Sequence, residues 1–432
     1  MENSYISNTG RSIIITLLLL LPVRFYAQSV DSLQTYIAAS IRNNPAVISE
    51  YNDYKAMVVN AQGEGQPSDP EVSAGFYLSP MEQVNVKQYA TFSVMQMFPW
   101  FGTLKAGRQM MEYKAEAAYQ KFRLDGIALA YEVQDQWYQL LATQEKIKNI
   151  KDQLKILQDI EQVVLYQYKS PSMMNGPKMS DQLRLQAEEA SIREQIASLE
   201  DVRKIQMQKL NITMHRNADS PLTIPDSITL REMPVISWRE VENKDPMLNQ
   251  LVAEKKSLDA ERVKMEGMAK PMFGVGLEYM LNGSVANPMM PSMNGKDMLM
   301  PMVKVTLPIY RKKIHAVRKS IDLQKSSLDY SYQSQQDMLR LQYLSIQQRA
   351  ADEKRKLELY RKEVDILHNT LHLMTTEYVN GTSSLTDILQ TMREQIDYAL
   401  KKAEAYADFN TLVAELEKLA SGYDYAERSH LQ

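Results

Sequence analysis

The sequence contains no cysteine, which excludes disulfide frameworks, thiolate metal sites and cysteine nucleophiles together. Glycine and proline are scarce, 15 and 17 in 432 residues, and that scarcity favours long uninterrupted helices over many turns. Basic charge is not in excess: 50 Lys and Arg against 53 Asp and Glu give a net charge of −3, so nothing in the charge points to nucleic acid. Long apolar runs are missing apart from one near the N-terminus. No Gly-rich phosphate loop and no Ser/His/Asp arrangement stands out, so the sequence makes no case for catalysis or for a cofactor. What is present is a 44% hydrophobic, 24% charged composition. It can bury a substantial core and fits neither a disordered chain nor a polytopic helical membrane protein.

The single apolar run spans Ile13 to Val23, with Arg11 before it and the small residue Ala27 after it, ahead of Gln28. At about 1.5 Å per residue the run is too short for roughly 30 Å of hydrocarbon. Residues 1–27 therefore read as a secretory signal peptide. An uncleaved N-terminal anchor is the alternative, and Arg24 beside the cleavage point speaks for it. With no cysteine after the run, lipid attachment is not available there. If the mature chain enters a membrane, it does so by another route than a helix.

The chain repeats its signals in order. Each half opens with a short helix containing an amide or acid before proline, Asn44-Pro45 and then Asp245-Pro246. Two alternating segments follow, then a proline that starts a long helix, Pro99 and then Pro308. Each long helix ends at a turn followed by an aspartate: Tyr168, Gly176, Asp181, Leu183 in the first half, and Tyr378, Gly381, Asp387, Leu389 in the second. The paired prolines and aspartates are separated by roughly 200 residues. No Gly or Pro interrupts Ile309 to Asn380, Thr382 to Ser421 or Lys178 to Ser220. Leu357, Tyr360, Val364, Leu367, Leu371, Met374 and Tyr378 step by three and four, as do Met392, Ile396, Ala399, Ala403 and Tyr406. That is a coiled-coil seam. A helix of roughly 70 residues would be about 105 Å long. These signals predict a first repeat at 28–236 (strands about 71–97, helical hairpin about 99–215) and a second at 237–421 (strands about 272–307, hairpin about 308–421), with a tail at 422–432.

The alternating segments are Val72 to Leu78, Tyr89 to Val94, Phe273 to Tyr279 and Val303 to Leu307. Each has one apolar and one polar face, as a barrel strand between lipid and water requires. Any half-buried soluble strand has the same pattern. Lipid tolerates strands only as a closed barrel, because an open edge leaves unpaired backbone groups in hydrocarbon. The smallest bacterial barrels have about eight strands, so four strands per chain require at least a dimer if they enter a membrane. Two soluble hairpins capping a helical bundle are the other reading.

Several stretches carry a resemblance: Ser32-Leu33 through Asn43-Asn44-Pro45, Phe98-Pro99-Trp100-Phe101-Gly102, Leu307-Pro308-Ile309-Tyr310, and Tyr378-Val379-Asn380-Gly381-Thr382 followed by Asp387-Ile388-Leu389. From about residue 31 to 421 the sequence resembles the TolC family of outer-membrane factors. The resemblance implies a mainly α protein with a small β part, built as a duplicated strand-pair and long-helical-hairpin repeat. It also implies a homotrimer, with an α-barrel tunnel continued by a twelve-stranded transmembrane β-barrel in outer-membrane lipid. The place implied is the outer membrane, extending into the periplasm, and the partners are a periplasmic adaptor and an inner-membrane pump. The docking tips would be Asn380, Gly381 and Thr382 on one hairpin and Gly176 and Asp181 on the other. Asp387 matches the first of the family's pore-constricting aspartates. Gln390, one turn later, stands where many members carry a second acid, which leaves a weaker negative ring. A helix-start acid stabilised by the helix dipole is an equal reading of Asp387.

Met289, Met290, Met293, Met298, Met300 and Met302 crowd together, the first three in a loop rich in Pro, Asn and Gly. Met95 and Met97 lie near the end of the second strand, and Met173, Met174 and Met179 at the first hairpin turn. A thioether is a soft ligand suited to Cu(I) or Ag(I), which points to the heavy-metal branch of the family and to copper or silver as cargo. Methionine as an adaptable apolar residue is the plainer reading. His368 and His372 have the i,i+4 spacing of a metal pair, but no Glu follows His368, and solvated helix-face residues are expected. The leading expectation is a tripartite-efflux conduit. The same channel carrying drugs or other small molecules, and a secreted coiled-coil scaffold or adhesin, remain as alternatives.

Overall fold

A residue whose side chain can accept a hydrogen bond, placed before proline, is a helix-start signal, and this chain uses it twice. In the computed structural model, which describes residues 32–82, 85–169, 179–380 and 382–420, one element order runs through twice. The first pass is α1 (Ser32–Asn43), α2 (Pro45–Glu64), β1 (Glu71–Glu82), β2 (Lys87–Phe98), α3 (Thr103–Lys169) and α4 (Met179–Thr213). The second is α5 (Trp238–Lys244), α6 (Pro246–Met268), β3 (Met272–Gly283), β4 (Met298–Thr306), α7 (Arg311–Val379) and α8 (Leu385–Leu419). The N-terminal segment 1–27, the tail 422–432, Met173, Met174, Gly176 and Gly381 lie outside the described residues.

Each opening helix proves to be two helices, broken at the residue before proline. Asn44 is extended and accepts from the Ala46 N–H, and Pro45 begins α2. Asp245 is buried, and its carboxylate accepts from the Leu248 N–H at 2.8 Å to cap α6. The long helices begin later than the prolines that announce them. Gly102 adopts φ 85°, a conformation open to glycine without penalty, and the turn through Trp100 delays α3 to Thr103. Ile309 and Tyr310 likewise precede α7. Helix α4 stops at Thr213 although no glycine ends it. His215 takes the left-handed position (φ 55°) that glycine usually fills, with the Arg216 N–H on the Asn211 carbonyl and the His215 N–H on that of Ile212.

Helices α3 and α7 have 67 and 69 residues, so each is about 100 Å long. Helix α2 lies along the start of α3, tied by Lys121–Glu50 at 2.6 Å, and α4 along its end, tied by Lys151–Glu200 at 2.7 Å. Helices α6 and α8 flank α7 in the same way, through Arg262–Asp322 at 2.9 Å and Arg349–Glu415 at 3.2 Å. Three apolar clusters hold the bundle. One joins α1, α3 and the end of α4 through Ile37, Phe122, Leu140 and Leu210. A second joins α5, α7 and α8 through Val241, Ile346 and Val413. The third gathers α3, α4, α7 and α8 near the hairpin turns through Leu157, Leu185, Leu371 and Met392. The heptad-like stripes supply these contacts: Leu357 and Leu371 are buried, as are Met392, Ile396, Ala399 and Ala403. The two alanines leave room for close helix approach.

The four strands form one antiparallel sheet in the order β1-β2-β3-β4. Three have 12 residues and β4 has 9, longer than the alternating segments suggested. Proline hides the extra length. Pro80 lies in β1 within the register shift between Phe76 and Met81, and Pro301 lies in β4. Both are in edge strands, where a missing N–H is tolerated.

Burial holds the Asp245 carboxyl above its usual range, against the lowering effect of the Leu248 and Met247 N–H groups. The folded state therefore favours the protonated form, and its stability falls as pH rises through that raised value. Asp245→Ala removes the cap and should cost about 1–2 kcal/mol in denaturant unfolding. Asp245→Asn keeps an acceptor and should stay near wild type at neutral pH. Relative to that variant, the wild type should gain stability as the pH is lowered towards the ordinary carboxylate range.

Candidate pore wall and hairpin tip

Register sorts the sheet into two faces. One carries Val72, Ala74 and Phe76 of β1, opposite Val94, Phe92 and Ala90 of β2. It continues through Leu277, Tyr279 and Leu281 of β3 to Pro301 and Leu299 of β4, with Phe273 and Val275 facing Val305 and Val303. Phe76 and Phe92 meet edge-on, ring centroids 5.8 Å apart. The other face carries Ser73, Gly75, Thr91, Ser93, Gly274, Gly276, Glu278 and Lys304. The Ser73 and Ser93 hydroxyls share a hydrogen bond of 2.6 Å across it.

Exposure runs opposite to that of a water-soluble sheet. Along β3 the apolar residues Phe273, Val275, Leu277, Tyr279 and Leu281 are exposed, whereas Gly276, Glu278 and Met280 are half-buried and Gly274 is buried. Along β2, Phe92, Val94 and Phe98 are exposed while Thr91, Ser93, Met95 and Met97 are half-buried. In water, a sheet with one apolar face packs that face on the core. Among the described residues no helix packs on this one, and the outer edges of β1 and β4 have no strand partner. Where the strands pass into the long helices, Trp100 packs near Phe273 (5.9 Å) and Phe101 (6.1 Å), and Phe101, Ile309 and Tyr310 are exposed.

At the other end of the long helices, Asn380 closes α7 with its N–H on the Glu377 carbonyl at 3.1 Å. Thr382 returns to that same carbonyl through both its N–H and its hydroxyl at 3.0 Å. Asp181 lies in the first turn of α4, and its charge, after burial, keeps the Tyr378 hydroxyl above its ordinary range. The turn is thereby shared between the two hairpins. Asp387 sits exposed in the first turn of α8, which Ser384 caps by accepting from the Thr386 N–H. Gln390 is exposed one turn on and donates to Glu394 at 3.1 Å. Glu394 and Asp397 continue the same exposed stripe, so the acid absent at 390 has a neighbour one turn further along. Sequence reasoning stopped at Gln390, and the i,i+7 spacing from Asp387 would have found Glu394.

Two features had no sequence signal. Glu188 is buried on α4 and receives Arg393 of α8 as a charge-assisted pair, with its Nε 3.0 Å from both carboxylate oxygens. Beside it, Arg184 donates to the Thr386 hydroxyl at 2.6 Å. Farther up, the fully buried Asn211 and Asn410 each clamp the inter-repeat linker: Asn211 donates to the Ala218 and Ser220 carbonyls, and Asn410 to that of Thr229 while accepting from the Arg231 N–H.

Met289, Met290 and Met293 are exposed in the β3–β4 connection, whereas Met298, Met300 and Met302 belong to β4 itself. The structure therefore does not bring the six together. Met179 begins α4. His368 and His372 are exposed on α7, and among the described residues no group of His and carboxylate side chains is arranged to hold a metal ion. No described helix is long and apolar enough to cross a membrane.

No family model and no curated protein matches the sequence. Solved structures do match the architecture. The outer-membrane channel OprN superposes with a TM-score of 0.73 at 15% identity, covering 91% of each chain. CusC gives 0.73 at 13%, covering 90% of this chain and 92% of its own. VceC from Vibrio cholerae gives 0.72 at 12%, covering 90% and 96%. The chain has the fold of an outer-membrane channel protomer. The TolC-like resemblance and the four-stranded sheet on long helical hairpins agree at the level of fold.

The tip geometry makes its own prediction. Arg393→Ala leaves a buried carboxylate without its cation and should destabilise the tip by about 1–3 kcal/mol. Amide hydrogen exchange should quicken in the first turns of α4 and α8, with little change around Asn211 and Asn410.

Proposed function

We propose that the protein is the outer-membrane channel of a tripartite efflux system: a passive, non-enzymatic conduit that spans the outer membrane and reaches into the periplasm. The observation that carries this reading is the uncovered apolar face of the sheet. Hydrocarbon, unlike water, tolerates such a face, and strands of 9 and 12 residues suit the roughly 9–11 residues that a tilted membrane strand needs. Hydrocarbon does not tolerate the open edges of β1 and β4. Copies of the chain would close them edge to edge, and three copies make about twelve strands, inside the range of bacterial barrels. Exposed aromatics at Phe101 and Tyr310 suit the interfacial belt below the barrel. The helices of about 100 Å would form the periplasmic tunnel, offering their turns at Asn380, Gly381, Thr382, Gly176 and Asp181 to an adaptor and, through it, an inner-membrane pump. Residues 1–27 would direct the chain out of the cytoplasm.

In this reading Asp387 is repeated around the three-fold axis, and carboxylates converging in a narrow pore attract cations and repel anions. Gln390 gives no second ring by itself, and Glu394 extends the negative stripe inward. The cargo we favour is a heavy-metal cation such as copper or silver, on the strength of the methionines. A drug-type substrate uses the same conduit, since the pump selects what enters.

Single-channel recording of the detergent-extracted protein, with its mass determined in the same detergent, tests the proposal. Discrete conductance steps from a trimer are expected. A detergent-independent monomer without conductance would turn the reading to a secreted coiled-coil scaffold. Asp387→Ala should raise conductance and weaken block by multivalent cations. Unchanged values would leave Asp387 as a helix-start residue only.

A further inference from the structure

The register of the sheet places its methionines selectively. Met95 and Met97 of β2, Met280 of β3, and Met298, Met300 and Met302 of β4 all lie on the face that carries Ser73, Thr91, Ser93 and Glu278. No methionine of β2, β3 or β4 lies on the apolar face, where Leu, Val, Phe and Tyr occupy the positions. A methionine used as a flexible stand-in for leucine belongs on that apolar face, and there is none. The two thioethers of β2 are also gathered. The Met97 sulfur occupies the space that a Cβ at Gly274 would need, and the Met95 sulfur lies 3.1 Å from the same point. The Met95 sulfur is 2.9 Å from where a Cβ at Gly276 would stand. Residue 302 lies next across the register, Met95 facing Gly276 and Gly276 facing Met302. The two glycines thus clear a floor over which sulfur from β2 leans towards β4.

We propose that this face is a thioether-lined pore wall that binds soft monovalent cations, Ag(I) or Cu(I), with Met95 and Met97 as its principal ligand pair and Met302 beside them. The inference rests on the conduit reading for its location in a lumen, and it assigns the cargo class to the sheet wall and not to the exposed loop methionines. Thioether sulfur prefers these ions over hard cations, while the hydroxyls and Glu278 keep the wall hydrated. A pair of thioethers without a thiolate binds weakly enough to release an ion that must move on.

The test is Ag(I) titration of the purified full-length protein in detergent by calorimetry, with conductance recorded on the same sample. Saturable Ag(I) uptake is expected in the wild type, with none for Na(I). Met95→Leu/Met97→Leu, which keeps side-chain volume, should abolish the strongest uptake phase. Met289→Leu/Met290→Leu/Met293→Leu should retain it. Absence of uptake in the wild type, or full uptake in the Met95/Met97 variant, overturns the proposal. If the channel conducts in either of those cases, the conduit itself stands. Uptake that depends on Met95 and Met97 in a protein that never conducts supports the site and overturns the conduit.

Discussion

A backbone amide or carbonyl in hydrocarbon must find a partner within protein, and the proposed membrane role of this chain turns on that constraint. Its sheet exposes apolar side chains on one face and ends in two edges that have no strand partner among the described residues. Water penalises the face and lipid penalises the edges. In the proposed membrane setting, association of copies through β1 and β4 satisfies both, and closure of the sheet accompanies membrane entry. On that proposal a single chain is an incomplete structure, and its helices would hold the four strands of each copy at the right place.

The helical part solves a different problem, keeping two helices of about 100 Å in register over their whole length. Two apolar clusters that share the later part of α8 and a third near the hairpin turns do this, and polar pairs between hairpins add directional contacts to the packing. The buried Glu188 with Arg393, and Asn211 and Asn410 on the linker, are costly to bury without partners. They therefore select one arrangement of the hairpins. Their positions also separate roles: the asparagines pin the middle of the bundle, whereas the Glu188 pair ties the two hairpins together near the turns.

Periodicity made the long helices and the alternating strands legible, because a seam at 357/360/364/367/371 and an alternation such as Phe273-Gly274-Val275-Gly276 are local properties of sequence. What stayed hidden depended on partners far along the chain. Pro80 and Pro301 concealed strand length because proline argues against a strand until its edge position is known. His215 concealed a helix end because glycine was the expected residue there. The crowding of Met289 through Met302 suggested one cluster, yet the β3–β4 register divides it between a loop and a row on the polar face of the sheet, which Met95 and Met97 share. Arg393 carried no signal at all, since its buried partner is 205 positions away. At the tip, the spacing of Asp387 and Gln390 was legible, but the hydrogen bond that brings in Glu394 was not.

In the proposed channel the apolar face of the sheet meets lipid and the opposite face meets water. The absence of cysteine makes it testable by introducing a single cysteine at each position from 273 to 281, attaching a nitroxide, and measuring collisions with oxygen and with a water-soluble nickel chelate in reconstituted membranes. Strict alternation is expected, with oxygen favoured at Phe273, Val275, Leu277, Tyr279 and Leu281 and the chelate favoured at the positions between. Uniform access of the chelate to both sets would contradict it.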